Sequence, residues 1–226
     1  MTFDSAFESV NARIAAACQS GARVRDSVQL LAVSKTFSAA AVAQVAALGQ
    51  RDFGENYIQE GVDKIAALTA LGLTWHCIGP VQGNKTRLVA EHFDWVHSVD
   101  RLKIAQRLSD QRPGHLAPLN LCIQVNIDGG AAKAGVAPHE ALALAREVAA
   151  LPGLRLRGLM TIPEPAPDFA AALAVHRAAK ALFDDLRASG LDLDTLSMGM
   201  SADLEAAIHA GSTMVRVGSA IFGGRA

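Results

Sequence analysis

The sequence predicts an α/β fold, a single TIM-type (β/α)₈ barrel with an N-terminal helix over residues 1–226. Three observations predict it. Short apolar runs alternate with alanine-rich helical stretches about eight times, and strands buried on both faces read as such continuous runs. The length sits just below the roughly 250 residues typical of this barrel. An open doubly wound sheet would need fewer strands and a glycine-rich phosphate turn after the first, which is missing.

The elements follow in order. Phe3, Phe7, Val10, Ile14 and Ala17 make one apolar stripe, predicting a helix over Phe3–Gln19 with Gly21 as its stop. Leu30–Ser34 reads as the first strand. Ser38 reads as the N-cap of a helix running to Leu48 and ended by Gly49. Further strands are expected near Asp52–Gly54, Trp75–Ile78, Trp95–Val99, Leu121–Ile127, Leu154–Thr161, Thr195–Met198 and Met214–Val217. The clearest helices between them are Glu140–Ala150 and Phe169–Ala188, with another over Ala202–Ala210.

Half the residues are apolar, enough for a large core without staples. Lys plus Arg number 21 and Asp plus Glu 22, so no charge excess points to nucleic acid or an anionic membrane as partner. The three cysteines, Cys18, Cys77 and Cys122, form neither a disulfide framework nor a CxxC zinc pattern. The N-terminus lacks a signal peptide's basic and apolar regions, and no apolar run is long enough to cross a bilayer. A soluble, cytoplasmic protein is expected.

Barrel chemistry sits at the C-terminal ends of the strands, and the unusual residues fall there. Lys35 ends the first strand. If Leu31 and Val33 face the interior, alternation turns Lys35 the same way. Desolvation would lower its pKa and make the amine a nucleophile suited to covalent capture of a carbonyl. Position alone leaves a second reading open, a lysine snorkelling to solvent. Near the other end of the chain, Met200-Ser201 precedes a helix, a ready anion site that Asp203 or Glu205 could cap instead. Arg216-Val217-Gly218-Ser219 offers a second set of amides. Two such segments after the last two strands suit a phosphate. His76 shares a face with Thr74 and Ile78 and reads as inward, by default as a core histidine. Asn56 could orient a ligand or hold its own turn. His92, Asp94 and His97 match no metal spacing and read as a solvated surface.

These motifs resemble one family. They are Leu31-Ala32-Val33-Ser34-Lys35-Thr36, Phe53-Gly54-Glu55-Asn56-Tyr57, His76-Cys77-Ile78-Gly79-Pro80 with Gln82-Gly83-Asn84-Lys85, Gln124-Val125-Asn126-Ile127 with Lys133-Ala134-Gly135, and Gly158-Leu159-Met160-Thr161-Ile162-Pro163. The longest and most specific runs from Leu196-Ser197-Met198-Gly199-Met200-Ser201 to Arg216-Val217-Gly218. Together, over about Leu30–Gly223, they resemble the pyridoxal phosphate (PLP) homeostasis proteins, also called proline synthetase co-transcribed homologues, which are related to the alanine racemase N-terminal barrel. Cys77 stands where the family usually has an aromatic and Gly83 where it has serine; neither removes a proposed ligand.

The resemblance implies a fold-type III PLP-binding barrel with an aldimine between Lys35 and PLP. It also implies phosphate contacts from Ser201 and the backbone around Gly218 and Ser219, with Arg216 facing the pyridine nitrogen. The expected cofactor-binding set is Lys35, Asn56, His76, Met160, Ser197, Met200, Ser201, Arg216, Gly218 and Ser219, with no metal. Racemases of this pattern add a β domain whose tyrosine is the second base. No such domain follows here, the single tyrosine is Tyr57, and Ile162 stands where a histidine would flank the ring. The expectation is therefore a monomeric, non-catalytic PLP carrier whose further partners are apo PLP-dependent enzymes. The alternatives are a low-activity PLP-dependent amino-acid racemase and a cofactor-free class I aldolase using Lys35. Lys64, Lys85 and Lys133 are conceivable secondary acceptors.

Overall fold

Eight parallel strands close on themselves in sequence order, β1 through β8, so the expected barrel is the observed one. The computed structural model describes residues 2–130 and 133–224; Met1, Ala131, Ala132, Arg225 and Ala226 of the expected domain lie outside them. The strands are β1 (Gln29–Val33), β2 (Asp52–Glu55), β3 (Thr74–Cys77), β4 (Trp95–Val99), β5 (Leu119–Val125), β6 (Leu154–Thr161), β7 (Thr195–Ser197) and β8 (Met214–Val217). The helices are α1 (Phe3–Ser20), α2 (Ala39–Ala47), α3 (Ile58–Ala67), α4 (Thr86–His92), α5 (Leu102–Gln111), α6 (Ala141–Ala149), α7 (Phe169–Ala188), α8 (Leu204–Ala210) and α9 (Ser219–Phe222).

Alternation along each strand sorts the side chains. Leu30 and Ala32 of β1, Phe53 of β2 and the odd-numbered residues Leu119 to Val125 of β5 join one continuous core between strands and helices. Inside the barrel, Trp95, Cys122 and Met160 form a separate small cluster. The rest of the interior is unusually polar, with His76, His97, Ser197 and Arg216 all buried.

Local signals set the helix ends. Ser38 caps α2, its hydroxyl accepting the Ala41 N–H at 3.3 Å, and Gly49 just beyond the helix is left-handed at φ +103°. Asp168 caps α7 by accepting from Ala171 at 2.8 Å. Several boundaries differ from expectation, and two of them show their cause. Strand β5 ends at Val125 because Asn126 leaves the ladder: its N–H donates to Val136 O at 2.9 Å and its side-chain amide to Gly130 O at 2.8 Å, folding the loop back. Helix α6 starts at Ala141 because Pro138–Glu140 form a separate 3₁₀ turn.

Gly158 holds β6 against β7, where a β-carbon would overlap the Thr195 carbonyl. Gly158→Ala should therefore destabilise the fold by about 3 kcal/mol in denaturant melts, as overpacking against rigid backbone does. A loss below ~0.5 kcal/mol, the scale of an ordinary surface change, would show that this close approach does not constrain the barrel.

Candidate functional site

The site assembles where barrel closure joins the ends of β1 and β8. Leu31 pairs with Arg216 and Ala32 with Val217. Strand β1 stops at Val33, and Lys35 stands on the turn that follows rather than in the strand. It is half-buried on the wall of a cavity, not enclosed in the interior.

The backbone around Lys35 is constrained. Thr36 adopts φ +69°, a left-handed conformation that a β-branched residue holds only when its surroundings impose it. The Thr36 N–H donates to Glu60 Oε1 at 2.6 Å. Lys64 Nζ donates to Ser34 O at 2.8 Å, to Glu55 Oε1 at 2.8 Å and to Glu60 Oε1 at 2.6 Å. The Ser34 hydroxyl donates to Glu55 Oε1 at 2.6 Å. Burial pushes the Glu55 carboxyl up, against the pull of Lys64 and Ser34. This cluster grips the residues on both sides of Lys35. It also engages Lys64, which is buried and ion-paired rather than a spare acceptor. Lys133 is engaged as well, by Asp128 at 2.7 Å and Glu164 at 3.2 Å.

Across the cavity stand Met200 and Ser201, after β7. Gly199 makes the turn at φ +92°, where a β-carbon would overlap Ala207, and its carbonyl accepts the Arg216 N–H at 3.0 Å. The expected helix from Ala202 begins only at Leu204. Asp203 takes the turn instead, its Oδ1 accepting the Met200 N–H at 2.7 Å and its Oδ2 meeting His176 Nε2 at 2.9 Å. Met200 and Ser201 therefore stand on a turn that precedes α8, not at the helix N-terminus the sequence predicts. Arg13 of α1 braces the same turn, donating to Ser201 O at 2.9 Å and pairing with Glu205 at 2.8 Å. Gly218 follows β8 so close to β1 that a β-carbon would come within 3.1 Å of Val33 O.

Seven of the ten expected residues line this one cavity: Lys35, Asn56, Met200, Ser201, Arg216, Gly218 and Ser219. Three do not. Met160 packs lower inside the barrel against Trp95 and Cys122. Ser197 lies beneath Arg216 and accepts from its Nη1 at 2.8 Å. His76 sits deeper still, with Asp52 Oδ1 at 3.1 Å and His97 Nε2 at 2.9 Å. His97 is a correction, being fully buried within the barrel, not a solvated surface residue. Alternation with the inward Trp95 on an apolar strand is the signal that would have found it. The lining also includes Val33, Thr36, Phe37 and Ile78, which sequence reasoning did not single out, and Ile162.

The cavity measures about 400 Å³, within the ~300–1,000 Å³ of small-molecule sites. Its described lining carries two cations, Lys35 and Arg216, and no carboxylate. Arg216 is 4% exposed, and burial pushes its guanidinium down to about 10, still charged at neutral pH. The arrangement suits an anionic ligand of modest size that presents a carbon electrophile to an amine. Among the described residues there is no cluster able to hold a metal and no helix long and apolar enough to cross a membrane.

The chain is similar to known proteins over nearly its whole length. The family described as alanine racemase, N-terminal domain, matches residues 12–226. The pyridoxal phosphate homeostasis protein of Pseudomonas aeruginosa is 60% identical over 216 residues, covering 96% of this chain and 93% of that one. Its namesake from Escherichia coli K12 is 54% identical over 219 residues, covering 96% and 94%. Among solved structures, PipY of Synechococcus elongatus with PLP bound superposes with a TM-score of 0.85 at 37% identity, covering 98% of this chain and all of that one.

The Asp203 turn yields a test with a defined sign. Burial raises the Asp203 carboxyl, but the His176 and Met200 hydrogen bonds outweigh it and hold the group below its ordinary 3.8. A depressed carboxylate contributes stability above its ordinary pKa and loses it as pH falls through the folded value. Asp203→Asn should cost about 1.5–3 kcal/mol at neutral pH, the range for hydrogen bonds to a charged group. Wild type and variant should converge in strong acid. A gap independent of pH in denaturant melts would contradict a charged Asp203 as the anchor of the turn.

Proposed function

We propose, on the premise that this chain belongs to the pyridoxal phosphate homeostasis protein family, that it binds PLP in the cavity between β1 and β8 and holds it through Lys35 without catalytic turnover. One observation carries the assignment of residues: among the described residues, a single lysine and no carboxylate side chain share the cavity with Ser201, Gly218, Ser219 and a buried arginine. Bound PLP supplies an aldehyde that an amine captures covalently and a ring able to draw electrons from an attached carbon.

The chain's own residues divide the binding. Lys35 supplies the amine from a turn whose flanks are fixed by Glu55, Glu60 and Lys64. The Ser201 hydroxyl and the backbone at Gly218 and Ser219 would hold the phosphate, with charge-assisted bonds stronger than neutral ones. Asn56, Ile162 and Met200 line the same cavity and would hold the rest of the cofactor. Arg216 would face the ring nitrogen and, being charged, would disfavour a proton there. That restrains the electron-withdrawing chemistry an enzyme would exploit.

The lining supports a carrier over a racemase. Racemisation needs a base on each face of the substrate carbon. Lys35 can serve as one. Tyr57 is exposed and outside the lining, and Ile162 is apolar. In this reading the protein works in the cytosol, where its three buried free thiols stay reduced, and hands PLP to apo PLP-dependent enzymes.

PLP added to the purified protein should give a visible absorption band that Lys35→Ala lacks at unchanged melting temperature. A wild-type band in the variant would remove Lys35 from the role. Ser201→Ala should retain PLP about tenfold less well in dialysis, the loss of one charge-assisted bond; equal retention would free Ser201 of phosphate. Amino-acid α-protons should not exchange with solvent, and sustained exchange would favour the racemase.

A further inference from the structure

Arg216 is not held by its neighbours alone. Its Nη2 donates to Thr161 O at 2.8 Å, and its Nη1 to the Ser197 hydroxyl at 2.8 Å. Ser197 Oγ lies 3.0 Å from His97 Nδ1. His97 Nε2 lies 2.9 Å from His76 Nδ1, and His76 Nε2 lies 3.1 Å from Asp52 Oδ1. Asp52 lines an open cleft beside the starts of β1 and β2, where Gln29 and Leu30 also sit. A row of side chains from β8, β7, β4, β3 and β2 therefore crosses the barrel interior from the cavity to the opposite end.

The two ends fix the direction of every bond independently. At the top, Ser197 Oγ accepts from the guanidinium, so its one hydrogen is left for His97 Nδ1; any other arrangement strands a buried hydroxyl. At the bottom, an ionised Asp52 can only accept, so His76 Nε2 carries a proton and donates. Between them, the Nδ1···Nε2 contact has room for one hydrogen. Both requirements are met only if each histidine is neutral and protonated at Nε2. The tautomers are assigned by this network. Burial first, then His76 and the Arg216 charge, hold His97 well below the ordinary histidine value. The other groups facing the pair are the Trp95 ring, stacked on His76 at 5.2 Å, and Cys122 beside Trp95, its thiol pushed up to about 12 by burial. Arg157 lies over Trp95, 4.6 Å from its centroid.

We propose that His97 is a positioning residue for the cofactor site: with His76 and Asp52 behind it, it forms a one-way donor chain that keeps Ser197 an acceptor and so fixes the plane of Arg216. The chain runs from a cation at the cavity to a carboxylate at the far end, with two neutral rings between. A proton on His97 Nδ1 would turn it into a donor toward Ser197, whose own hydrogen would then lack an acceptor or oppose Arg216. The part that concerns the cofactor rests on the reading that Arg216 faces its ring.

Long-range proton–nitrogen NMR of the histidine rings in the full, unmodified chain at neutral pH is the test, with and without added PLP. Both rings should be neutral and Nε2-protonated. An Nδ1–H tautomer or an imidazolium at either position overturns the proposal. His97→Leu should retain PLP about tenfold less well and shift the visible band of the bound cofactor. His97→Asn, whose side-chain oxygen can stand in for Nδ1, should recover most of both. Wild-type retention and band in His97→Leu also overturn it. Should the leucine variant not fold, an asparagine variant that folds but behaves as if it had no acceptor overturns it instead. If the wild-type chain takes up no PLP, the reading of the cavity has failed, while the ring spectra still decide the direction of the chain.

Discussion

The pairing of β1 with β8 is the constraint on which the rest of this molecule depends. It is the last contact in the barrel, joining residues near 30 to residues near 215, and nothing local favours it. Loop-closure entropy must be met before such a contact forms. Once formed, it sets Val33 against Gly218 and carries Lys35 to within one cavity's width of Ser219. Neither end of the site has meaning without the other. The aromatic seam of Phe3, Phe37 and Phe222, with ring centroids 5.8 and 5.0 Å apart, and the Arg13 brace from α1 reinforce the same closure from outside.

The closure also brings charge inside. Burying a guanidinium is costly unless it is hydrogen-bonded. Arg216 is accommodated because β6 presents the Thr161 carbonyl and β7 the Ser197 hydroxyl at its height. The Ser34–Glu55–Lys64–Glu60 cluster solves the corresponding problem on the other side of β1, between sheet and helix. Two buried polar networks thus flank β1: the cluster around Ser34, outside the barrel, and the row from Arg216 through Ser197, His97 and His76 to Asp52, inside it. The barrel wall elsewhere is packed with apolar side chains. Such buried networks fix geometry more than they add stability, which is what the proposed covalent attachment at Lys35 requires.

Much of this was legible in the sequence. Apolar runs of strand length between alanine-rich helices specify a parallel barrel because each strand must be buried on both faces. Unusual residues at strand ends then mark the site, so Lys35, Asn56, Ser201 and Arg216 were readable from position and motif together. The depth of a residue inside the barrel was not. His76, Met160 and Ser197 all point inward, as alternation indicates, but alternation gives the face and not the layer. Layer depends on strand stagger, which arises from pairing between distant segments. His97 was missed for a related reason: with His92 and Asp94 nearby it read as a polar surface, though Trp95, Val96 and Val99 of the same strand are apolar. The start of α8 was misjudged because Asp203 ties down the preceding turn through a bond to His176, 27 residues away.

The central claim is that Lys35 is the point of covalent attachment. Borohydride reduction of the PLP-loaded protein, followed by peptide mapping, tests it most directly. The account predicts a pyridoxyl group on the peptide carrying Lys35. A pyridoxyl group found instead on Lys85, Lys133 or another lysine, with Lys35 unmodified, would contradict it.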